Sequence, residues 1–164
     1  MRVGFEMLIR KAKVTDVPGI YHLIEHNAKK GLVLIRTHSS ICEDLLSFYV
    51  AVEDDEVVGV GSLYIYDESL SEIRSLAVSE NHMKKGIGKK LTEKIVEDAK
   101  QLGIGRMISL TYQVDFFSKL GFDIIQKETI PQKVRKDYLG CPKFFACDET
   151  AMVIPLNETA VFQL

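Results

Sequence analysis

Residues 72–91 read EIRSLAVSENHMKKGIGKKL: a largely apolar run, a short polar linker, then two glycines bracketed by four lysines. Directly after it Leu91, Ile95, Val96, Ala99 and Leu102 recur at helical spacing as far as Gly103. The stretch is therefore read as strand, tight turn and amphipathic helix. In that setting the backbone N–H groups from Lys84 to Lys89 point into the turn, and the helix dipole adds positive potential, which makes a receptor for a pyrophosphate. Gly86 and Gly88 let the backbone approach phosphate closely because no Cβ intervenes. Lys84, Lys85, Lys89 and Lys90 add charge at the rim. A solvated lysine-rich turn is the plain alternative, since a lone Gly-x-Gly is a weak signal.

Two other phosphate motifs fail on the residues. A P-loop needs Lys and then Ser or Thr after its second glycine, whereas Gly88 is followed by Lys89 and Lys90. A dinucleotide fingerprint needs a third glycine three residues after Gly88, where Leu91 stands.

Working outward, Met7 to Arg10 reads as a first strand, and Thr15 as the N-cap of a helix whose apolar face is Val17, Ile20, Leu23, Ile24 and Ala28. Gly31 stops it. Ser39 or Ser40 caps a second helix with Ile41, Leu45 and Leu46 on its buried stripe. FYVAVEDDEVVGVGSLYIY is a β-hairpin turning at Glu53 to Glu56, and Ser71 to Val78 is the next strand. Arg106 to Thr111 is a further strand, VDFFSKL a short helix, and FDII and AMVIPL the closing strands. The order β-α-α-β-β-β-α-β-α-β-β predicts an α/β (α+β) domain over residues 1–164, with a mixed central sheet of about six to seven strands flanked by helices.

Composition bounds the function. A chain of 164 residues with 46% hydrophobic and 27% charged content is ordinary for a globular domain. A formal net charge of -2 argues against general attraction to nucleic acid or anionic membranes. No apolar run approaches the roughly 20 residues of a membrane span, and the N-terminus has no apolar core of signal-peptide length, so cytoplasmic residence is the expectation. Three cysteines, Cys42, Cys141 and Cys147, make no even disulfide framework and lack the close pairing of a zinc site, so no metal is expected. His22, His26 and His82 show no partner pattern and receive no role.

With the downstream VDFFSKLGF, the stretch EIRSLAVSENHMKKGIGKKL resembles the coenzyme-A-binding core of the GNAT superfamily of N-acetyltransferases. That family's loop reads Gln or Arg, two residues, Gly, one residue, Gly or Ala. Met83, Lys84, Lys85, Gly86, Ile87 and Gly88 match it, with Met83 replacing the usual polar residue. The resemblance implies acetyl-CoA lying along Ser71 to Val78, with that strand splayed from Arg106 to Thr111, often at a β-bulge. It implies contacts from Leu76, Ala77, Val78, the turn as far as Lys89, Phe116 and Phe117. An N–H near Leu76 would polarise the thioester carbonyl. Glu72 is the implied proton acceptor for the amine, directly or through water; an exposed strand-edge carboxylate is its plain alternative. The tyrosine acid of the family's Phe-Tyr pair is replaced by Phe117, which leaves Tyr112, Ser75 or water to return the proton.

The loop IPQKVRKDYLGCPKFFACDETAM, residues 130–152, together with LIRKA, GLVLIRTHSS and LTYQVDFFSKLGF, is similar to short single-domain N-acetylglutamate synthases. Those enzymes acetylate the α-amino group of glutamate at the start of arginine biosynthesis. Two substrate carboxylates call for cationic groups, and Arg36, Arg74 and Lys143 are the candidates, with Arg135 and Lys136 as alternatives to Lys143. The plain reading of each is a surface cation. Another small amine, a protein amine, or a non-catalytic acyl-CoA sensor remain rival readings. Apolar residues in the final AVFQL suggest a homodimer contact.

Overall fold

The computed structural model describes residues 7–131 and 148–157. Its strands are β1 (Leu8–Lys11), β2 (Phe48–Glu53), β3 (Glu56–Asp67), β4 (Leu70–Val78), β5 (Arg106–Thr111), β6 (Asp123–Ile125) and β7 (Thr150–Pro155). They form one seven-stranded mixed sheet in the order β1-β2-β3-β4-β5-β7-β6. The helices are α1 (Val17–Lys29), α2 (His38–Glu43), α3 (Ile87–Gln101) and α4 (Val114–Lys119). The element order is the one the patterning predicts. Two compact units emerge: one holds the described residues up to Tyr64 with Ile73–Asp98, the other Ile65–Glu72 with the described residues from Ala99 onward.

In the first unit β2 and β3 pair from Phe48↔Ser62 to Glu53↔Glu56. Asp54 and Asp55 make the turn with φ of 53° and 60°, the left-handed pair that a two-residue hairpin of matching twist requires. The core gathers Val17, Ile20 and Ile24 of α1, Ile41 of α2, Phe48 and Val50 of β2, Val60 of β3 and Ala77 of β4.

Three sequence expectations change here. Thr15 does not cap α1. It lies within a 3-10 turn, Val14–Asp16; Asp16 is the N-cap residue of α1, but its buried side chain makes no bond into the helix and closes the 3-10 turn instead. The carboxylate accepts from Lys13 N at 2.7 Å and from both terminal nitrogens of Arg10, at 2.7 and 3.0 Å. The two-pronged bond to Arg10 holds the carboxylate toward β1, and the extra turn moves the start of α1 past Thr15 to Val17. The second helix is capped by neither Ser39 nor Ser40. Thr37 Oγ1 accepts from Ser40 N at 3.0 Å. Leu46 is 84% exposed, because α2 ends at Glu43 and a 3-10 turn, Leu45–Ser47, carries it outward.

Helix α3 is seated on β3 by two glycines. A Cβ on Gly59 would stand 2.8 Å from Ile87 Cγ2 and 2.9 Å from Leu91 Cδ1. One on Gly61 would stand 2.9 Å from Ile95 Cδ1. The alternation V-G-V-G therefore makes a notch for the stripe Ile87, Leu91 and Ile95, all buried. Tyr49 Oη donates to Asp98 Oδ2 at 2.7 Å, tying β2 to the same helix. Burial first, and that bond second, push the Tyr49 phenol well above its usual range. Leu102, expected on the stripe, is 64% exposed, since α3 stops at Gln101 and Gly103 turns left-handed at φ 83°.

In the second unit β5 is central, parallel to β4 through Leu70↔Arg106, Ser71↔Met107 and Glu72↔Ile108, and antiparallel to β7 from Arg106↔Pro155 to Thr111↔Thr150. Leu70, Ile108, Ile130, Ala151 and Val153 form its core cluster.

Gly59→Val should destabilise the protein by about 1–3 kcal/mol, because the extra methyls have nowhere to go under Ile87 and Leu91. Denaturant unfolding checks this, and Gly59→Ala should show the same sign at smaller size. A second expectation concerns acid. The Arg10 hydrogen bond, against the cost of burial, holds the Asp16 carboxyl below its ordinary value. Its stabilisation is complete above the unfolded pKa of about 3.9 and fades as pH falls through the lower folded value. The stability gap between wild type and Asp16→Asn should thus be constant above about pH 5 and shrink below about pH 4. Unfolding titrations across that range provide the measurement.

Candidate functional site

Four non-glycine residues among those described have left-handed φ, and two of them form the β2–β3 turn. The others are Ser75 at 55° and Lys84 at 68°. Each conformation costs of order 1–3 kcal/mol for a residue with a Cβ, so strain outside the hairpin turn is concentrated in residues 75–84.

Ser75 lies inside the continuous strand β4 in a left-handed conformation that is uncommon for a residue with a Cβ. The ladder of β4 to β5 runs from Leu70 to Glu72 and ends before it. After it come Leu76, half-buried, Ala77, 4% exposed and part of the first unit's core, and Val78, half-buried. Ala77 can thus offer only its backbone to a ligand. Ser79 N donates to Val58 O at 2.8 Å, and a short 3-10 turn, Glu80–His82, follows.

Met83, Lys84, Lys85 and Gly86 form the turn proper, all exposed. Gly86 is left-handed at φ 75°, and a Cβ built on it meets nothing within 4 Å. Its Cα therefore borders open space, and its backbone conformation is one that side chains disfavour. Helix α3 starts at Ile87, and Lys90 N donates back to Gly86 O at 3.0 Å. Helix geometry denies the N–H groups of Ile87, Gly88 and Lys89 an intrahelical acceptor. The Ile87 side chain, 3% exposed against Gly59, serves packing, so only its amide is available. Thr92 Oγ1 donates to Gly88 O at 2.8 Å, which keeps that carbonyl engaged inside the helix. Free amides at a helix N-terminus, a glycine beside open space and flanking lysines fit an anion such as a diphosphate.

Glu72 corrects its plain alternative. It is 1% exposed, not a strand-edge carboxylate, and its Oε1 accepts a hydrogen bond from Tyr66 Oη at 2.7 Å. Sequence reasoning missed Tyr66. Counting alternation back across the two-residue turn at residues 68–69 sets Tyr66 opposite Ser71, on the other face from Glu72, so local patterning carried no signal for this bond. Tyr112, 41% exposed, donates to Asp148 Oδ1 at 2.7 Å. On α4 the two phenylalanines divide: Phe116 is half-buried, whereas Phe117 is 4% exposed and packs edge-on at 5.0 Å against Phe122. Phe117 is a core ring.

The candidate cations also separate. Arg36 Nε donates to Ser40 Oγ at 3.1 Å and its Nη2 to Ser40 O at 3.2 Å and to the Asp44 carboxylate, with the guanidinium over the Phe48 ring. It braces α2. The Arg74 guanidinium lies 3.8 Å from the centre of the Tyr64 ring. Lys143, Arg135, Lys136, Cys141, Cys147 and the AVFQL tail lie outside the described residues. No cluster of potential metal ligands occurs among the described residues, and no helix there is long and apolar enough to cross a membrane.

Residues 20–122 match the acetyltransferase (GNAT) family. An uncharacterized N-acetyltransferase of Chlorobaculum tepidum is 39% identical over 145 residues, 88% of this chain and 94% of its own. The amino-acid acetyltransferase of Mycobacterium tuberculosis is 31% identical over 130 residues, 77% of this chain and 74% of its own. Among solved structures, the N-acetylglutamate synthase of Neisseria gonorrhoeae, complexed with coenzyme A and N-acetyl-glutamate, superposes with a TM-score of 0.83 at 26% identity. That match covers 93% of this chain and 35% of the longer synthase chain. A Mycobacterium tuberculosis protein in complex with CoA gives a TM-score of 0.82 at 26% identity, over 92% of this chain and 99% of its own.

Proposed function

The chain belongs to the GNAT family of N-acetyltransferases, and from that premise we propose that it acetylates the α-amino group of a small amino acid, L-glutamate first. The observation that carries this is the amino-acid acetyltransferase relative, 31% identical over 77% of the chain. A structural neighbour holding coenzyme A with N-acetyl-glutamate supports the same acceptor. The product would be N-acetylglutamate, the first intermediate of arginine biosynthesis.

Acetyl-CoA supplies an activated acyl group on a thioester. The chain's own residues do the rest. Amides of residues 84–89, with Gly86 and Gly88 giving close approach, hold the diphosphate, and Lys84, Lys85 and Lys89 add charge around it. Met83 contributes an apolar rim where the family has a polar one. Beyond Ser75, where β4 no longer pairs with β5, backbone groups of Leu76, Ala77 and Val78 run beside the pantetheine arm, and the Leu76 N–H orients the carbonyl. Phe116 lines the thiol end.

The acceptor arrives as an ammonium at neutral pH and must lose a proton before it can attack. Glu72 takes that proton. Burial at 1% exposure keeps bulk water from competing, and the Tyr66 phenol fixes the carboxylate by donating to one of its oxygens. Tyr112 or Ser75 returns a proton to the departing thiolate. Arg74 and Lys143 meet the substrate carboxylates. Arg36, braced by Ser40 and Asp44, shapes the acceptor side through α2.

Thiol release with a panel of amino acids and peptides tests the acceptor: glutamate should exceed the others in kcat/KM by about tenfold or more. Preference for a peptide amine, or tight coenzyme binding with no turnover on any amine, overturns the reading. Glu72→Gln should lower kcat by about 10²–10⁴ with little change in the KM for acetyl-CoA. Gly86→Val should instead raise that KM by about tenfold or more and leave the KM for glutamate nearly unchanged.

A further inference from the structure

Glu53 and His82 have no part in the roles assigned so far. Glu53 is the last residue of β2, and His82 the last before the turn. His82 Nε2 lies 3.0 Å from Glu53 Oε2, with the two side chains 18% and 22% exposed. The other ring nitrogen, Nδ1, is buried and has no hydrogen-bond partner. Lys85 Nζ lies 3.9 Å from the same Glu53 oxygen. The His82 ring is thus fixed by packing and one polar tie. Leaving Nδ1 unsatisfied is a cost that the Glu53 contact must outweigh.

The other restraints on the entry to the turn are weaker or lie earlier. Met83 N reaches Glu80 O only at 3.4 Å. Glu80 pairs with Lys30 and with His26 at 3.2 Å, but it is 56% exposed, where water screens such pairs. Between His82 and Gly86 the chain must nonetheless hold Lys84 left-handed. A carboxylate at Glu53's position opposes any anion received by the turn and draws Lys85 toward itself. On charge alone, Glu53 is unfavourable there.

We propose that the Glu53–His82 pair is a positioning device for the coenzyme turn. By clamping the last residue before Met83 to the β2–β3 hairpin, it keeps the amides of residues 84–89 convergent on the diphosphate of acetyl-CoA. This rests on the reading of residues 83–88 as the diphosphate turn. The device and the charge act in opposite directions, which makes the inference decidable by sign.

Coenzyme A binding by calorimetry and steady-state KM values for acetyl-CoA and for S-acetylpantetheine, which lacks the diphosphate, make the experiment. Glu53→Ala and His82→Ala should each weaken coenzyme A and raise the KM for acetyl-CoA by about five- to tenfold, with kcat and the amine KM near wild type. The KM for S-acetylpantetheine should not move. Glu53→Gln and His82→Gln, which keep one hydrogen-bonding partner, should recover part of the loss. The double alanine variant should be no worse than the poorer single one, since both remove the same tie. Tighter or unchanged coenzyme A binding in Glu53→Ala overturns the inference, as do equal losses on both thioesters or additive losses in the double variant. If His82→Ala does not fold, His82→Gln with the two Glu53 variants carries the same comparison. Gly86→Val separates the premises: if it leaves coenzyme A binding intact, the turn itself is misassigned. If it weakens binding while Glu53→Ala does not, only the clamp fails.

Discussion

The close seating of α3 on β3 is the constraint from which the proposed coenzyme turn follows. Gly59 and Gly61 remove two side chains from the sheet surface, and Ile87, Leu91 and Ile95 fill the space. Because Ile87 is both the first residue of the helix and the first buried residue of its stripe, the packing fixes where the helix begins. The residues just before it must then leave the sheet, reverse and enter the helix within a few positions. Left-handed geometry at Lys84 and Gly86 is the cost of that reversal, and exposed amides are its product. The proposed anion receptor is thus a by-product of core packing, held by forces that do not depend on the anion.

Strand β4 has two parts. Its first is ordinary sheet, laddered to β5 through Glu72, and there the buried carboxylate accepts from Tyr66. Its second holds the left-handed Ser75, after the β5 ladder has ended. Backbone groups that a parallel neighbour would otherwise occupy are not paired with β5 beyond Glu72.

The sequence carried the element order and the turn because both depend on local periodicity and on glycine. Helix, hairpin and strand signals are all short-range, and the strand–turn–helix of residues 72–101 is a local statement. What was not legible depends on competition between neighbours or on contacts across the sheet. Thr15 looked like a cap, but a 3-10 turn closed by the Asp16 carboxylate moves the start of α1 past it. Leu46 and Leu102 fitted helical stripes, but each lies past a helix end that periodicity cannot locate. Glu72's burial, Tyr66's bond to it and Phe117's packing on Phe122 come from tertiary neighbours, so residue type alone could not assign them.

The lysines deserve less weight in the receptor than their number suggests. Lys89 Nζ lies 3.9 Å from Glu93 and Lys85 Nζ 3.9 Å from Glu53, so each already has a carboxylate within reach. Exposed pairs of this kind are worth little in stability, yet they cancel part of the field that a free lysine would project. A chain with net charge -2 gains no general attraction for a polyanion from such a rim. Backbone amides differ in kind: their dipoles are fixed by the helix and the turn, carry no counter-charge, and lose no side-chain entropy on binding. In the proposed receptor, selectivity for a diphosphate then rests more on the shape of the backbone between His82 and Gly88 than on the lysine rim.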